Sequence, residues 1–162
     1  MTEGIPVVRM YTDNSGHTRF AKMQIPVESK TGLGSVGLFS SLFLNQNIHD
    51  NTGDLKTQFA LTPVPDNLKG EGPKLAHTAP RRQLVLTLSG CLEFKSCDVD
   101  EDDAEHKVTI RRGAILLAED LEGAGHVWKF VESSDGNFYP WIRCYIHLGE
   151  EYDHFVSQLI PI

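Results

Sequence analysis

Apolar residues along the chain occur in short runs bounded by Gly, Pro, Asn and Asp. The run from Leu84 to Leu88 is typical, since it contains Leu, Val and Thr and ends at Ser89 and Gly90. Period-two alternation with β-branched and aromatic residues predicts strands and turns, whereas helical signals are scarce. Strands are predicted over ten segments, at residues 6–11, 20–27, 36–45, 57–63, 75–89, 91–97, 106–111, 114–119, 126–132 and 141–148. Residues 150–158 are expected to form a short terminal helix or an irregular tail.

The length of the chain bounds the number of domains. A chain of 162 residues can bury a core of its own, and its 40% hydrophobic and 23% charged residues are ordinary for a globular protein. No internal repeat, low-complexity stretch or linker divides it. The sequence therefore predicts one all-β domain, a sandwich or barrel.

The net charge and the cysteine content limit which binding partners and which cellular compartment are expected. The formal net charge is -7, and no stripe of Lys and Arg opposes it, so nucleic acid and anionic membranes are not expected partners. The acidic run at 98–105 is expected to be a solvated loop. Three cysteines, an odd number without a CxxC pair, suit a reducing compartment. With neither a signal peptide nor an 18-residue apolar stretch, a cytoplasmic protein is expected.

The stretch from His77 to His126 carries the chemistry-bearing motifs. It contains His-x-Ala-Pro-x-Arg-Gln from His77 to Gln83, then Leu-Ser-Gly-x-Leu-Glu, and Leu-x-Glu-Asp-x-x-Gly-x-Gly-His ending at His126. These motifs resemble those of the cupin superfamily, and most closely a group of small single-domain cupins without a settled function. The resemblance is clearest over residues 75–130. It implies a single cupin domain over residues 1–162, a double-stranded β-helix or jelly-roll barrel with short peripheral segments.

The chain departs from the cupin motifs at three places. In the superfamily, three His and one Glu usually hold a divalent metal. Here Ala79 occupies the second His position, Gln83 occupies the Glu position, and Glu119-Asp120 replaces a Pro-x-Gly turn. The resemblance therefore predicts a pocket but leaves its metal content open.

Strand alternation predicts which side chains face that pocket. Residues 77, 79, 81, 83, 85 and 87 share one face if no bulge intervenes, and the cupin resemblance puts that face inside the barrel. His77 and His126 are the candidate catalytic residues. Arg81 and Gln83 are candidate substrate-binding residues. Trp128 alternates with His126 and forms an apolar wall, either as core or as a surface on which substrate stacks.

Three functions compete for this pocket. The favoured one needs no metal: His77 and His126 exchange protons with a carbonyl- or carboxylate-bearing metabolite, as in a non-redox isomerase, cyclase or lyase. In the second, a metal-dependent oxygenase, Fe, Ni, Cu or Zn binds His77, His126 and Gln83, although an amide is a poor ligand for these ions and Glu119 would have to supply a carboxylate. In the third, the pocket binds a small molecule without catalysis.

The remaining polar residues are expected to serve structure. Glu119 and Asp120 precede a Gly-rich turn, and an acid there commonly bonds the turn's own backbone. His147 could reach the cavity, but a surface or core position is the expectation for it, as for the four other histidines without ligand spacing. The apolar face opposite the pocket also needs burial, which with the cupin resemblance predicts a homodimer.

Overall fold

The computed structural model describes residues 4–30, 34–37, 57–66, 75–97, 105–149 and 152–162. These residues form two sheets and one six-residue helix, so the prediction of an all-β protein is confirmed. None of the helical segments in these ranges is long and apolar enough to cross a membrane. The elements are β1 (Gly4–Thr12), β2 (Thr18–Lys30), β3 (Gly34–Gly37), β4 (Thr57–Thr62), β5 (Gln83–Ser89), β6 (Cys91–Ser96), β7 (Lys107–Arg111), β8 (Ile115–Glu119), β9 (His126–Phe130), β10 (Trp141–His147), α1 (Tyr152–Ser157) and β11 (Ile160–Pro161).

The strands divide unequally between the two sheets. The larger sheet has eight strands in the order β11-β2-β1-β8-β5-β10-β4, with β3 also paired to β2, and the smaller sheet has the order β7-β6-β9. Strands β1 and β8 are parallel neighbours. Ladders between the described strands do not close the two sheets into a barrel. Separate backbone bonds connect the larger sheet to segments beside the smaller one, such as the bond from the Phe20 N–H in β2 to the carbonyl of Glu105, which precedes β7 (2.9 Å).

The chain passes from the larger sheet to the smaller one at Gly90, between β5 and β6. Gly90 has a φ of +97°, in the left-handed region that glycine adopts without strain. A Cβ at this position would lie 3.1 Å from Cα of Trp141. The predicted turn at Ser-Gly is therefore the crossover that sets β6 opposite β5.

Two hydrophobic clusters lie on opposite faces of the larger sheet. The outer cluster includes Leu84 and Leu117 and is covered by α1, whose Phe155 is fully buried. The inner cluster lies between the two sheets and includes Val85 and Leu116. Because successive residues of a strand point to opposite faces, a strand buried on both faces is apolar at nearly every position. This arrangement explains the apolar run from Leu84 to Leu88.

The predicted strand at 75–89 is too long. Strand β5 begins at Gln83, and residue 77 makes only an isolated bridge to residue 126. Pro80 lies between them and has no N–H to donate to a ladder. The C-terminal segment was expected to be either a short helix or an irregular tail, and it forms a short helix. Most of the predicted strand 36–45 and of the acidic run 98–105 lies outside the described residues.

Candidate functional site

A cavity of about 450 Å³ opens between the two sheets, on the face of the inner cluster. All five predicted site residues (His77, Arg81, Gln83, His126 and Trp128) line it. The other lining residues are Met10, Gln58, Ala79, Pro80, Val85, Phe94, Leu116, Ala118, Trp141, Arg143, Tyr145 and His147. The volume is within the usual range for small-molecule sites, and the wall combines apolar and aromatic side chains with seven amide, imidazole and guanidinium groups.

His77 and His126 face each other, although 48 other residues separate them along the chain. Their backbones exchange two hydrogen bonds, of 3.1 Å and 2.9 Å. Their rings are 4.5 Å apart between centroids and tilted by 56°. His126 is only 4% exposed, whereas His77 is exposed. One imidazole is thus held inside the wall and the other lies beside it at the opening.

A buried carboxylate stands behind His126. Asp120 is fully buried, and its Oδ2 lies 2.6 Å from Nδ1 of His126. The Thr18 hydroxyl donates to the same oxygen (3.0 Å), and the backbone N–H of Ala79 donates to Oδ1 (3.3 Å). The expectation that Asp120 bonds its own turn is therefore wrong. Strand alternation contained the signal: Leu116 and Ala118 face the cavity, and Asp120 is the next residue of that series.

This pair fixes the tautomer of His126. A carboxylate accepts hydrogen bonds, so the proton between the two side chains is assigned to Nδ1. Nε2 then carries the lone pair and is available to a ligand in the cavity. A buried carboxylate that orients an imidazole in this way, and stabilises it once it gains a proton, is the arrangement of a general base.

Glu119, the neighbouring acid, lies on the other face of the sheet. Its carboxylate accepts from Nε of Arg9 (2.6 Å) and from the hydroxyl of Tyr152. Burial, together with the hydrogen bond to Glu119, raises the pKa of Tyr152. Glu119 therefore ties α1 to the sheet, and the idea that it turns into the cavity as a metal ligand is not supported by its position.

Two further polar residues of β10, Arg143 and His147, line the cavity. His147 is buried, as a core position implies, and its Nδ1 lies 3.5 Å from Nη1 of Arg81. It also reaches the cavity, which was the less expected of its placements. Arg143 stacks on the Trp141 ring, with Cζ 3.8 Å from the ring centroid. The signal for both is the alternation Trp141, Arg143, Tyr145, His147, which puts these four side chains on the cavity face of one strand.

The ligand set for a metal is incomplete. His77 and His126 each use Nδ1 in a local contact, with the Leu75 carbonyl (3.3 Å) and with Asp120, which leaves Nε2 of each ring for an ion. Gln83 could add only a neutral amide, and Ala79 adds nothing. Within the ranges described above, no three His, Cys, Asp or Glu side chains come together as a metal site. The described residues thus fit a divalent metal poorly.

The aromatic wall connects the two ends of the cavity. Trp128 lies 5.1 Å from Trp141, and Phe94 lies 5.6 Å from the His126 ring and 5.8 Å from Trp141, all measured between ring centroids. Trp128 is thus both core and cavity wall, while Phe130 packs behind it at 5.5 Å. A flat ligand has apolar surface to contact along the whole path from His126 to Arg143.

The chain was compared with known proteins in three ways. No protein-family model, no curated protein and no solved structure matches it.

Proposed function

We propose that this chain is a cupin-type enzyme, a non-redox isomerase, cyclase or lyase that acts on a carbonyl- or carboxylate-bearing metabolite. The observation that carries the proposal is the buried Asp120–His126 pair in the wall of a ligand-sized cavity. Two facing sheets that enclose a pocket, with the histidines of both sequence motifs meeting in it, support the cupin-type architecture and a single domain over residues 1–162. The three free cysteines support a reducing, cytoplasmic location.

The proposed reaction is a proton transfer. Nε2 of His126 takes a proton from the carbon beside a substrate carbonyl. The electron pair of the broken C–H bond forms a carbon–carbon double bond, and the π pair of the carbonyl moves onto its oxygen to give an enolate. The Arg81 guanidinium and the Gln83 amide stabilise this enolate oxygen. His77 gives a proton to another carbon in an isomerase, or to the leaving group in a lyase.

Deuterium exchange tests this proposal without knowledge of the substrate. In D₂O, the wild-type protein is expected to replace the proton beside the carbonyl in some members of a panel of keto acids and unsaturated acids, as followed by proton NMR. His126→Ala should lose this exchange. Glu119→Gln is the matched control, because it alters the neighbouring carboxylate on the opposite face of the sheet and should exchange normally. Panel members that stabilise the wild-type protein but never exchange would indicate a binding protein instead.

A metal-dependent oxygenase is the second candidate. The observation in its favour is the Asp120–His126 hydrogen bond, because metal-binding imidazoles commonly donate their other N–H to a carboxylate. Elemental analysis of protein purified without chelator separates the two candidates. Near-stoichiometric Fe, Ni, Cu or Zn that is lost in both His77→Ala and His126→Ala would overturn the metal-free mechanism.

We also propose that the protein is a homodimer. Phe59, Leu61 and Leu88 are 75%, 62% and 45% exposed. Strand pairing puts Phe59 and Leu61 of the edge strand β4 on the outer face of the larger sheet, and Leu88 lies at the irregularity between β5 and β10. Burying these exposed apolar side chains against a second copy of the chain stabilises a dimer, so light scattering at micromolar concentration should give the mass of two chains. Phe59→Asp should shift the protein toward monomer, and a wild-type protein found only as monomer would contradict the proposal.

A further inference from the structure

Arg143 is a cation in the cavity wall whose hydrogen-bond partners among the described residues are all neutral groups. Its Nε–H donates to the Tyr145 hydroxyl (2.6 Å). Its Nη1 donates to the Thr62 hydroxyl (2.8 Å) and to the Trp141 carbonyl (3.4 Å). No ion pair joins Arg143 to a carboxylate of the described residues, and no Asp or Glu among them lines the cavity.

The remaining donors of Arg143 define what it can bind. A guanidinium has five N–H groups, and the three contacts engage Nε–H and Nη1. Nη2 donates to no group in the part of the chain that is described. A half-buried cation gains most from an anion that accepts its remaining N–H bonds, and a carboxylate matches the planar guanidinium in geometry.

The surroundings of Arg143 favour a flat ligand. The guanidinium stacks on Trp141, which keeps its plane fixed, and Trp128 and Phe94 extend the apolar wall from Trp141 toward His126. Arg81, which lies beside His147, is at the far end of β10 from Arg143. His147 lies four positions after Arg143 along the strand, which corresponds to about 13 Å between the backbones. The two cations therefore lie at different ends of the cavity wall.

We propose that Arg143 binds the carboxylate of an aromatic or conjugated acid, whose flat part lies on Trp141, Trp128 and Phe94. The reactive end of this molecule then faces His126, and Arg81 takes its enolate oxygen. This inference rests on the proposed function only where it states which end of the ligand reacts. The anion site itself is a matter of binding, so it can be tested without turnover.

The test is a binding titration with benzoate and its neutral analogue benzamide. The chain has only two tryptophans, Trp128 and Trp141, and both line the cavity, so their fluorescence reports directly on its occupancy. Wild-type protein should bind benzoate more tightly than benzamide. Loss of a hydrogen-bonded charge pair typically weakens binding by roughly 10- to 100-fold, so Arg143→Gln should weaken benzoate binding by that factor and remove the preference.

Two other variants complete the experiment. Arg112→Gln, at an exposed arginine outside the cavity, should keep the preference for benzoate. Arg143→Lys retains a cation and should keep a weaker preference, which decides the question if Arg143→Gln does not fold. A wild-type protein that binds benzoate no better than benzamide would overturn the proposal, as would a folded Arg143→Gln protein with the wild-type preference.

The outcomes also separate this inference from the proposed function. If deuterium exchange is absent but Arg143→Gln loses the preference for benzoate, the anion site stands and the proton-transfer mechanism fails. If exchange occurs and Arg143→Gln leaves the preference unchanged, the mechanism stands and the anion site fails.

Discussion

Asp120→Asn is expected to slow deuterium exchange by roughly 100- to 10,000-fold, the range that a correctly oriented general base contributes. The amide no longer offers a carboxylate to stabilise the imidazolium form of His126. Its NH₂ group also presents donors where Thr18, Ala79 and His126 already donate. The ring is then free to carry its proton on Nε2, the atom that has to accept the substrate proton.

The same substitution should lower the free energy of unfolding by about 2–3 kcal/mol. Asp120 is fully buried, and the donors that now bond to its carboxylate would instead meet the NH₂ group of the amide at one of the two positions. Denaturant unfolding measures this loss. A purely structural role for Asp120 would not move the tautomer, so nitrogen NMR of His126 is the deciding measurement: the Nδ1–H form should predominate in the wild-type protein and give way to the Nε2–H form in Asp120→Asn.

Glu119→Gln is the control for both measurements. It changes a carboxylate of the adjacent residue that binds Arg9 and Tyr152 on the outer face. Some stability should be lost, while exchange and the His126 tautomer stay as in the wild type. If Asp120→Asn exchanges at the wild-type rate, or Glu119→Gln is equally slow, His126 is not a base oriented by Asp120.

The hydrophobic pattern was sufficient to predict the strand content and which residues share a face, but the cupin resemblance was needed to predict that this face lines the cavity. Alternation in Leu84–Leu88 divides side chains between two clusters. A strand with this alternation buries both sets of side chains when both of its faces are covered. The meeting of His77 and His126 could be expected only from the resemblance between motifs. Period-two alternation says which side of a strand a residue is on, but not which strand lies opposite.

The roles of Asp120 and Arg143 were not predicted, because they depend on which parts of the chain lie close together in the folded protein. Asp120 was assigned to its own turn because local bonding of Asp before glycine is common, yet the closure of that turn brings His126 within 2.6 Å of it. Arg143 is the clearest omission. An arginine that alternates with Trp141 and Tyr145 had to face the same way as they do, but only the structure shows that this direction is the cavity.

The predicted strand 75–89 begins too early for the same reason, because the path of the backbone before Gln83 depends on the folded structure. A proline excludes the ladder hydrogen bond at one position, but it does not say whether the chain resumes its direction afterwards. Here it does so at Gln83, and the side chains of residues 77, 79 and 81 still reach the cavity from a bent segment. Side-chain direction was thus predicted better than backbone hydrogen bonding.

Gly125→Ala is expected to destabilise the protein by about 3 kcal/mol or more and to separate the two facing imidazoles. Gly125 has a φ of +76°, and an added Cβ would lie 2.6 Å from the His77 carbonyl carbon and 3.1 Å from the Thr78 nitrogen. These are backbone atoms of the segment that pairs with His126, so they cannot rotate away as a side chain could. The bridge between residues 77 and 126 has to open instead.

Gly113→Ala is the matched control for this prediction. Gly113 has a φ of +85°, and nothing lies within 4 Å of the Cβ that alanine would add. It should therefore show only the backbone strain of a left-handed alanine, about 1 kcal/mol. The difference in unfolding free energy between the two variants measures the contact of Gly125 with the His77 segment. Equal losses would mean that this segment does not press against Gly125. The two imidazoles would then lack the close backbone pairing that holds them 4.5 Å apart, and the acid–base mechanism would lose its second proton carrier.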